Sequence, residues 1–241
     1  MRAPVVDYRK FRPSKLSTDE FKHLKLLLFW PVFGLLFLFV ERFYQVDNYY
    51  SMYCKLDDLI PFCEWFLIPY LFWFVFLVGM HLYTLLYDID TFNRMMKYII
   101  ITYSVAILIY LIFPTSQELR PAQFERDNIL TSFIKEFYQF DTNTNVCPSI
   151  HVIGSMAVME AALWSKRIRS RSMKVSFVVV AVLICISTVF MKQHSIIDVL
   201  AALPICFITH FLCYRKPKQT IYCGVGSDCT GAVFQQMLRV S

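Results

Sequence analysis

The chain has 241 residues, 57% of them hydrophobic and 17% aromatic, with six glycines and a formal net charge of +6. That composition excludes an ordinary soluble domain, which is about half apolar and about a quarter charged. It points to an all-α polytopic membrane protein, because lipid admits only helices or closed barrels and the apolar runs lack the strict alternation of strands.

The first 23 residues are polar and basic, and Ser17 and Glu20 stand at the spacing of a capping box ahead of the first span. They lack the apolar stretch and small-residue site of a cleaved signal peptide. Six apolar runs follow, at 24–40, 65–87, 98–113, 150–164, 175–190 and 196–213. Several, the fourth above all, fall short of the roughly 20 residues a bilayer core needs, so flanking residues must supply the remainder. The pattern predicts a six-transmembrane-helix bundle forming one membrane domain, residues 24–213. It lies between an amino-terminal segment, 1–23, and a tail, 214–241, that matches no motif.

Lysine and arginine are retained on the cytoplasmic side of short loops. The loop between the fourth and fifth runs carries Lys166, Arg167, Arg169, Arg171 and Lys174 without an acid, and is predicted to be cytoplasmic. Alternation then places both basic termini inside, and places 41–64, 114–149 and 191–195, which mix acids with fewer bases, outside. The positive charge is thereby explained by topology and anionic headgroups, and gives no argument for nucleic acid. Trp30, Trp65 and Trp164 fall near span ends, as interfacial aromatics do. The eight cysteines include no close CxxC pair; Cys54 and Cys63 share an outer segment and are candidates for a disulfide if that side is oxidising.

Ionisable residues at membrane depth are costly and point to function. His23 reads as solvated surface, and His81 and His210 read as packed, hydrogen-bonded residues within spans. His151, in CPSIH, and His194, in HSIID, open the fourth and sixth spans on the same predicted outer face. Two helix amino ends there would direct free N–H groups at one region, a setting for an anion such as phosphate. Asp198, four residues after His194, shares its helix face, where a carboxylate holds one ring nitrogen protonated and leaves the other as nucleophile or base. A structural polar pair and a half zinc site compete for the HxxxD spacing, and the outer segments offer no third histidine for a metal. Arg120 and Pro121 lie in the long third outer segment, where a guanidinium fork suits phosphate oxygens; Arg126 and Lys135 read as surface charges.

Taken in order, RP, CPSIH and HSIID resemble the three signatures of the type 2 phosphatidic acid phosphatase superfamily, which also includes vanadium haloperoxidases and sphingolipid phosphotransferases. The resemblance covers about residues 114–202, and the six-span layout extends it. It implies a lipid phosphatase working without metal or cofactor at the outer face of a multi-pass plasma-membrane protein. Its partners would be a phospholipid or sphingolipid substrate and the membrane, with no nucleic acid and no obligate protein partner. It further implies His194 as a nucleophile forming a phosphohistidine, Asp198 as the group orienting it, His151 as general acid and base, and Ser149 and Arg120 as ligands of phosphate oxygens.

The chain departs from that pattern at two cations. Phe113 stands seven residues before the arginine, where the superfamily usually has lysine. Thr188 stands six before His194, where it usually has arginine, and Lys192 is the nearest substitute as a substrate-binding cation. The thinner set resembles the inositol phosphorylceramide synthase and sphingomyelin synthase branch, in which a phospho-headgroup passes to a lipid alcohol such as ceramide or diacylglycerol. Fewer cations suit a phosphodiester, with about one negative charge, better than a monoester with up to about two. Two other classes compete: an intramembrane protease using Ser155 with a histidine, and a proton-coupled transporter with His81, His210 or Glu160 as relay, which needs glycine-broken helices.

Overall fold

A computed structural model describes residues 4–44 and 46–214; the predicted tail beyond Tyr214 lies outside the described residues. The described residues form seven α-helices: α1 (Phe29–Arg42), α2 (Leu67–Tyr87), α3 (Ile89–Ile112), α4 (Ile129–Phe140), α5 (Ile150–Trp164), α6 (Arg171–Phe190) and α7 (Ile196–Tyr214). Six of them coincide with the six apolar runs. Five helical segments, Lys22–Arg42, Glu64–Tyr87, Ile89–Ile112, Arg171–Phe190 and Ile196–Tyr214, are long and apolar enough to cross a membrane. The first gains its length from a 3-10 helix, Lys22–Leu28, that runs into α1.

The remaining apolar helix, α5, has 15 residues and is about 22 Å long, short of a hydrocarbon core of about 30 Å. It is the central element, packed against α2, α3, α6 and α7. Gly154, Ser155, Ala157, Ala161 and Ala162 are buried along it, and such small residues let neighbouring helices approach closely. The other helices turn apolar faces outward, with Leu35 on α1, Val75 on α2, Val179 on α6 and Leu212 on α7 all at least half exposed. A surface of that kind belongs in hydrocarbon. The chain is therefore a multi-pass helical membrane protein.

The helices other than α4 alternate in direction, which sorts the loops to two ends. At one end Asp88 caps α3 and accepts a 2.6 Å hydrogen bond from Ser165 Oγ, while Arg94 Nη1 donates to the Cys213 carbonyl at 2.8 Å. The amino-terminal segment is held at this end as well. Val5 N–H reaches the Leu86 carbonyl at 2.8 Å, and the Tyr8 hydroxyl lies 2.7 Å from the Leu85 carbonyl and 2.8 Å from His23 Nε2. His23, expected on solvated surface, is consequently buried, with Phe92 edge-on to its ring. The capping box expected at Ser17 and Glu20 is not formed. Thr18 instead turns the chain, its hydroxyl donating to the Lys15 carbonyl and its own carbonyl accepting from Lys22, and the helix starts without a side-chain cap.

At the opposite end the long segments tie to one another. Strand β1 (Tyr50–Ser51) pairs in parallel with β2 (Thr115–Ser116), Tyr50 opposite Thr115, and Ser116 bridges to Thr144. Cys54 and Cys63 are free thiols here. Helix α4, absent from the sequence expectation, begins with a reciprocal cap between Asn128 and Thr131. It buries Ile134 and leaves Ile129 and Phe140 exposed, as an amphipathic helix at an interface does.

Candidate functional site

The four-residue spacing in HSIID brings His194 and Asp198 together at the start of α7. His194 Nδ1 lies 3.1 Å from Asp198 Oδ2, and both side chains are buried. The same oxygen accepts the Ser195 N–H at 3.0 Å. Asp198 thus fixes the ring and the backbone beside it, leaving Nε2 as the nitrogen that faces away from the carboxylate.

A second acid, which the sequence reading passed over, secures the same helix end. Asp57 is fully buried and accepts from Ser195 Oγ at 2.6 Å, Ile196 N–H at 2.9 Å and Cys54 N–H at 2.8 Å. Burial alone would raise its pKa, but these hydrogen bonds outweigh it and hold the carboxyl below its ordinary range. The expectation that α7 offers free N–H groups to an anion is therefore corrected. Ser195 N–H is taken by Asp198, Ile196 N–H by Asp57 and Ile197 N–H by Ser195 Oγ, because a buried helix end must satisfy its orphan donors.

His151 sits in the first turn of α5, whose cap is Ser149: the Ser149 hydroxyl accepts from Val152 N–H at 3.4 Å. The CPS stretch is held from two sides, with the Tyr110 hydroxyl 2.6 Å from the Pro148 carbonyl and Ser149 N–H 3.2 Å from the Asp198 carbonyl. The imidazole lies between Tyr70 and Trp73 of α2, at centroid distances of 4.4 and 4.5 Å. Gly154, one turn on, permits this packing: a Cβ there would stand 2.8 Å from Trp73 Nε1 and 2.7 Å from the Tyr103 hydroxyl. The rings of His151 and His194 are 5.9 Å apart at 63°, although 43 residues separate them in the chain.

The expected phosphate-binding cations sit differently. Arg120 directs its guanidinium to the Tyr138 carbonyl at 2.8 Å, the Asp141 and Thr142 carbonyls at 2.8 and 2.9 Å, and the Gln193 side-chain oxygen. Lys192 donates to the Asp57 carbonyl at 2.7 Å. With the backbone at φ 51°, its ammonium turns toward the segment 41–64, and Lys192 does not line the cavity at the histidines. Where the family pattern has its other cations, Phe113 stacks on Tyr50 at 3.9 Å and Thr188 takes Gln193 and His194 N–H groups on its carbonyl. Gln117, also missed in the sequence, is fully buried and donates to the Lys192 and Gln193 carbonyls at 3.0 and 3.3 Å, joining the segment 114–149 to the turn before His194.

Two connected spaces meet at His151. A polar cavity of about 30 Å³ is lined by His151, His194, Gln193, Glu41, Asp141 and Asn145 among others. A groove of about 790 Å³ runs between α1 and α2 from Glu41, Arg42 and Phe140 at the site end to Leu27, His81 and Leu82 toward the other end of these helices. Its walls are overwhelmingly apolar, and it shares Phe37, Glu41, Asp141, Ile150 and His151 with the polar cavity.

The residues of the competing readings are placed elsewhere. The Ser155 hydroxyl donates 2.7 Å to the His151 carbonyl within its own helix, so it is not aimed at an imidazole. His81 Nδ1 lies 2.7 Å from the Leu77 carbonyl in the groove wall, and His210 Nδ1 lies 3.0 Å from Glu160 Oε2 at the far end. Arg126 approaches Glu64 at 3.4 Å and Lys135 approaches Asp127 at 3.5 Å, both largely exposed. Among the described residues no group of three or more His, Cys, Asp or Glu is arranged around a common metal position.

The molecule is thus a polytopic helical bundle with two neighbouring histidines, one backed by an aspartate, at the head of an apolar groove. Residues 94–222, more than half of the chain, match the PAP2 superfamily, and the chain belongs to that superfamily. No curated protein and no solved structure matches the chain. Membership and the apolar helices together make it a membrane protein of the lipid phosphatase and phosphotransferase kind.

Proposed function

We propose that this protein removes a phosphoryl group, free or substituted, from a membrane phospholipid through a phosphohistidine on His194. The observation that carries the reading is the pairing of two buried imidazoles 5.9 Å apart, one with its Nδ1 on Asp198, at the end of a groove long enough for an acyl chain. His194 Nε2 attacks phosphorus and the bond from phosphorus to the lipid oxygen breaks. His151 gives that oxygen its proton, and the lipid alcohol leaves. His151 then takes a proton from the acceptor as the acceptor oxygen displaces Nε2, returning both rings to their starting state. An imidazole suits both duties, because it can give a proton from a ring nitrogen and take one back at the same atom.

In this proposal Arg120 exchanges its bond to Gln193 for phosphate oxygens, and Ser149 orients the first turn of α5 beside them. Water is the acceptor in the first reading, a phosphatase. A lipid alcohol is the acceptor in the second, which is favoured by cations already engaged with carbonyl groups. We also propose that α5, extended by its flanking residues, completes six crossings. The basic loop 165–174 and both termini would then be cytoplasmic, and the histidines would face the outer side of the plasma membrane.

The test is to trap acid-labile phosphate on the purified protein during turnover of a labelled lipid. Label on wild type and its loss in His194→Ala, together with loss of turnover, are expected. No label on wild type and full activity in His194→Ala refute the mechanism.

A further inference from the structure

We infer that Ser170 is a phosphorylation site, modified by a protein kinase that selects arginine on the amino-terminal side of its target. The inference is independent of the lipid chemistry and rests on the proposed cytoplasmic placing of the loop between α5 and α6. Residues 166–174 include Lys166, Arg167, Arg169, Arg171 and Lys174, with no acid. Retention of cations on the inner side accounts for their sign. It does not account for their position. Arg171 and Lys174 lie at the start of α6, where the helix dipole is positive and disfavours cations, and Ser170 is the cap. Among the described residues none of the five pairs with a carboxylate; Lys174 donates instead to the Leu163 carbonyl at 2.6 Å. An anion at the cap would relieve this crowding of positive charge.

The loop presents one serine in a form a kinase can take. Ser165 is buried, donates to Asp88 and accepts the Arg167 and Ile168 N–H groups at 3.2 and 3.4 Å, and Ile168 is itself buried. These two anchors leave Arg167 and every residue from Arg169 to Met173 exposed. Ser170 joins three properties: it is exposed, its backbone is extended at φ −67° and ψ 125°, as an acceptor segment must be to lie along a kinase cleft, and arginines stand three and one residues before it. Ser172 has arginines at the same spacings but lies within the helix.

In the reaction Ser170 Oγ attacks the γ-phosphorus of ATP, the bond to the bridging β-phosphate oxygen breaks, ADP leaves, and the hydroxyl proton passes to the kinase's base. The product adds about −1.5 to −2 charge and three strong acceptor oxygens. Ser170 Oγ already accepts the Met173 N–H at 3.4 Å and stands 2.7 Å from Ser172 Oγ. The phosphate therefore stays at the positive end of α6, with Arg167, Arg169 and Arg171 close in the chain to pair with it.

The purified full chain is incubated with labelled ATP, magnesium and the catalytic subunit of cyclic-AMP-dependent protein kinase, and the label is located by mass spectrometry. Label on Ser170 is expected, lost in Ser170→Ala and retained in Ser172→Ala. Arg167→Ala should slow labelling by about tenfold or more, the scale of one charge-assisted hydrogen bond, and leave lipid turnover unchanged. The phosphorylated protein should melt about 2–4 °C above the unmodified one, as an anion capping a helix in a chain of this size would produce. Salt at about 1 M should remove the difference. Protein recovered from the cells that make it, with phosphatases inhibited, should carry the modified peptide. No label on wild type, label on other residues alone, a lower melting temperature after phosphorylation, or recovery of only the unmodified peptide overturns the inference. Because the label is located on wild type, the outcome does not depend on how the variants fold.

Discussion

Asp57→Ala tests the claim that the segment 41–64 holds in place the helix of His194, the proposed nucleophile. The carboxylate accepts three hydrogen bonds in a fully buried position, one from Ser195, the residue after His194, one from Ile196, the first residue of α7, and one from Cys54. Loss of a helix cap alone costs about 1 kcal/mol. Leaving the Ile196 and Cys54 N–H groups buried without acceptors adds about 1–3 kcal/mol before relaxation. A total loss of about 2–4 kcal/mol is expected, a large part of a typical stability of about 5–15 kcal/mol. His194 is one residue away from the released backbone, and misplacement of a reacting group by about an ångström lowers rate by about 100-fold. The assay is denaturant unfolding of the detergent-purified protein, read by tryptophan fluorescence, beside the turnover of the preferred lipid. The neighbouring Asp58→Ala is the control, because Asp58 is exposed and only Tyr53 binds it, so a change within about 1 kcal/mol is expected. If Asp57→Ala matches Asp58→Ala in both stability and turnover, the capping argument is wrong.

Because the folded pKa of Asp57 is lowered, its contribution to stability is complete above the unfolded carboxyl value of about 3.9 and is lost as pH falls through the folded value. Asp57→Asn should therefore flatten the acid limb of an unfolding profile measured below about pH 4. Gly154→Ala places a methyl group 2.7–3.0 Å from Tyr103 and Trp73, which overpacking makes unfavourable by about 1–3 kcal/mol. It should also lower turnover, since Trp73 is one face of the His151 clamp; unchanged melting and unchanged kcat would contradict this. Gly34 lines the groove and has nothing within 4 Å of a Cβ, so Gly34→Phe should fold normally, raise KM for long-chain lipids and spare short-chain ones. Equal KM changes for both chain lengths would remove the groove from the binding path.

The bundle was legible because a span must be apolar along most of its length, so the six runs mark six of the helices, although α3 begins at Ile89, nine residues ahead of its run. His194 and Asp198 were legible because the relation between them is local, one helical turn. Partners that arrive from far along the chain left no such mark. Asp57 meets Ser195 across 138 residues and Gln117 meets Lys192 across 75, and in the sequence each is an ordinary polar residue of a loop. Glu41 and Asp141 likewise share a cavity only because the end of α1 and the end of α4 converge. Helix α4 did carry a signal, in the spacing of Leu130, Ile134 and Phe137, but one short amphipathic face inside a long polar segment is easily read as loop. The basic amino terminus misled in the other direction: Tyr8 and Phe92 enclose His23 where composition pointed to water.

The placement of His151 between Tyr70 and Trp73 has a kinetic corollary. Two aromatic rings packed less than 5 Å from the imidazole resist its turning over. Under the proposed mechanism the same ring edge must serve departure and arrival, through the same space at the head of the groove. The acceptor then waits until the first lipid alcohol has vacated that space. Where the acceptor is a lipid alcohol, double-reciprocal plots for donor and acceptor should be parallel, and the released lipid alcohol should compete with the acceptor for one form of the enzyme, the one carrying the group on His194.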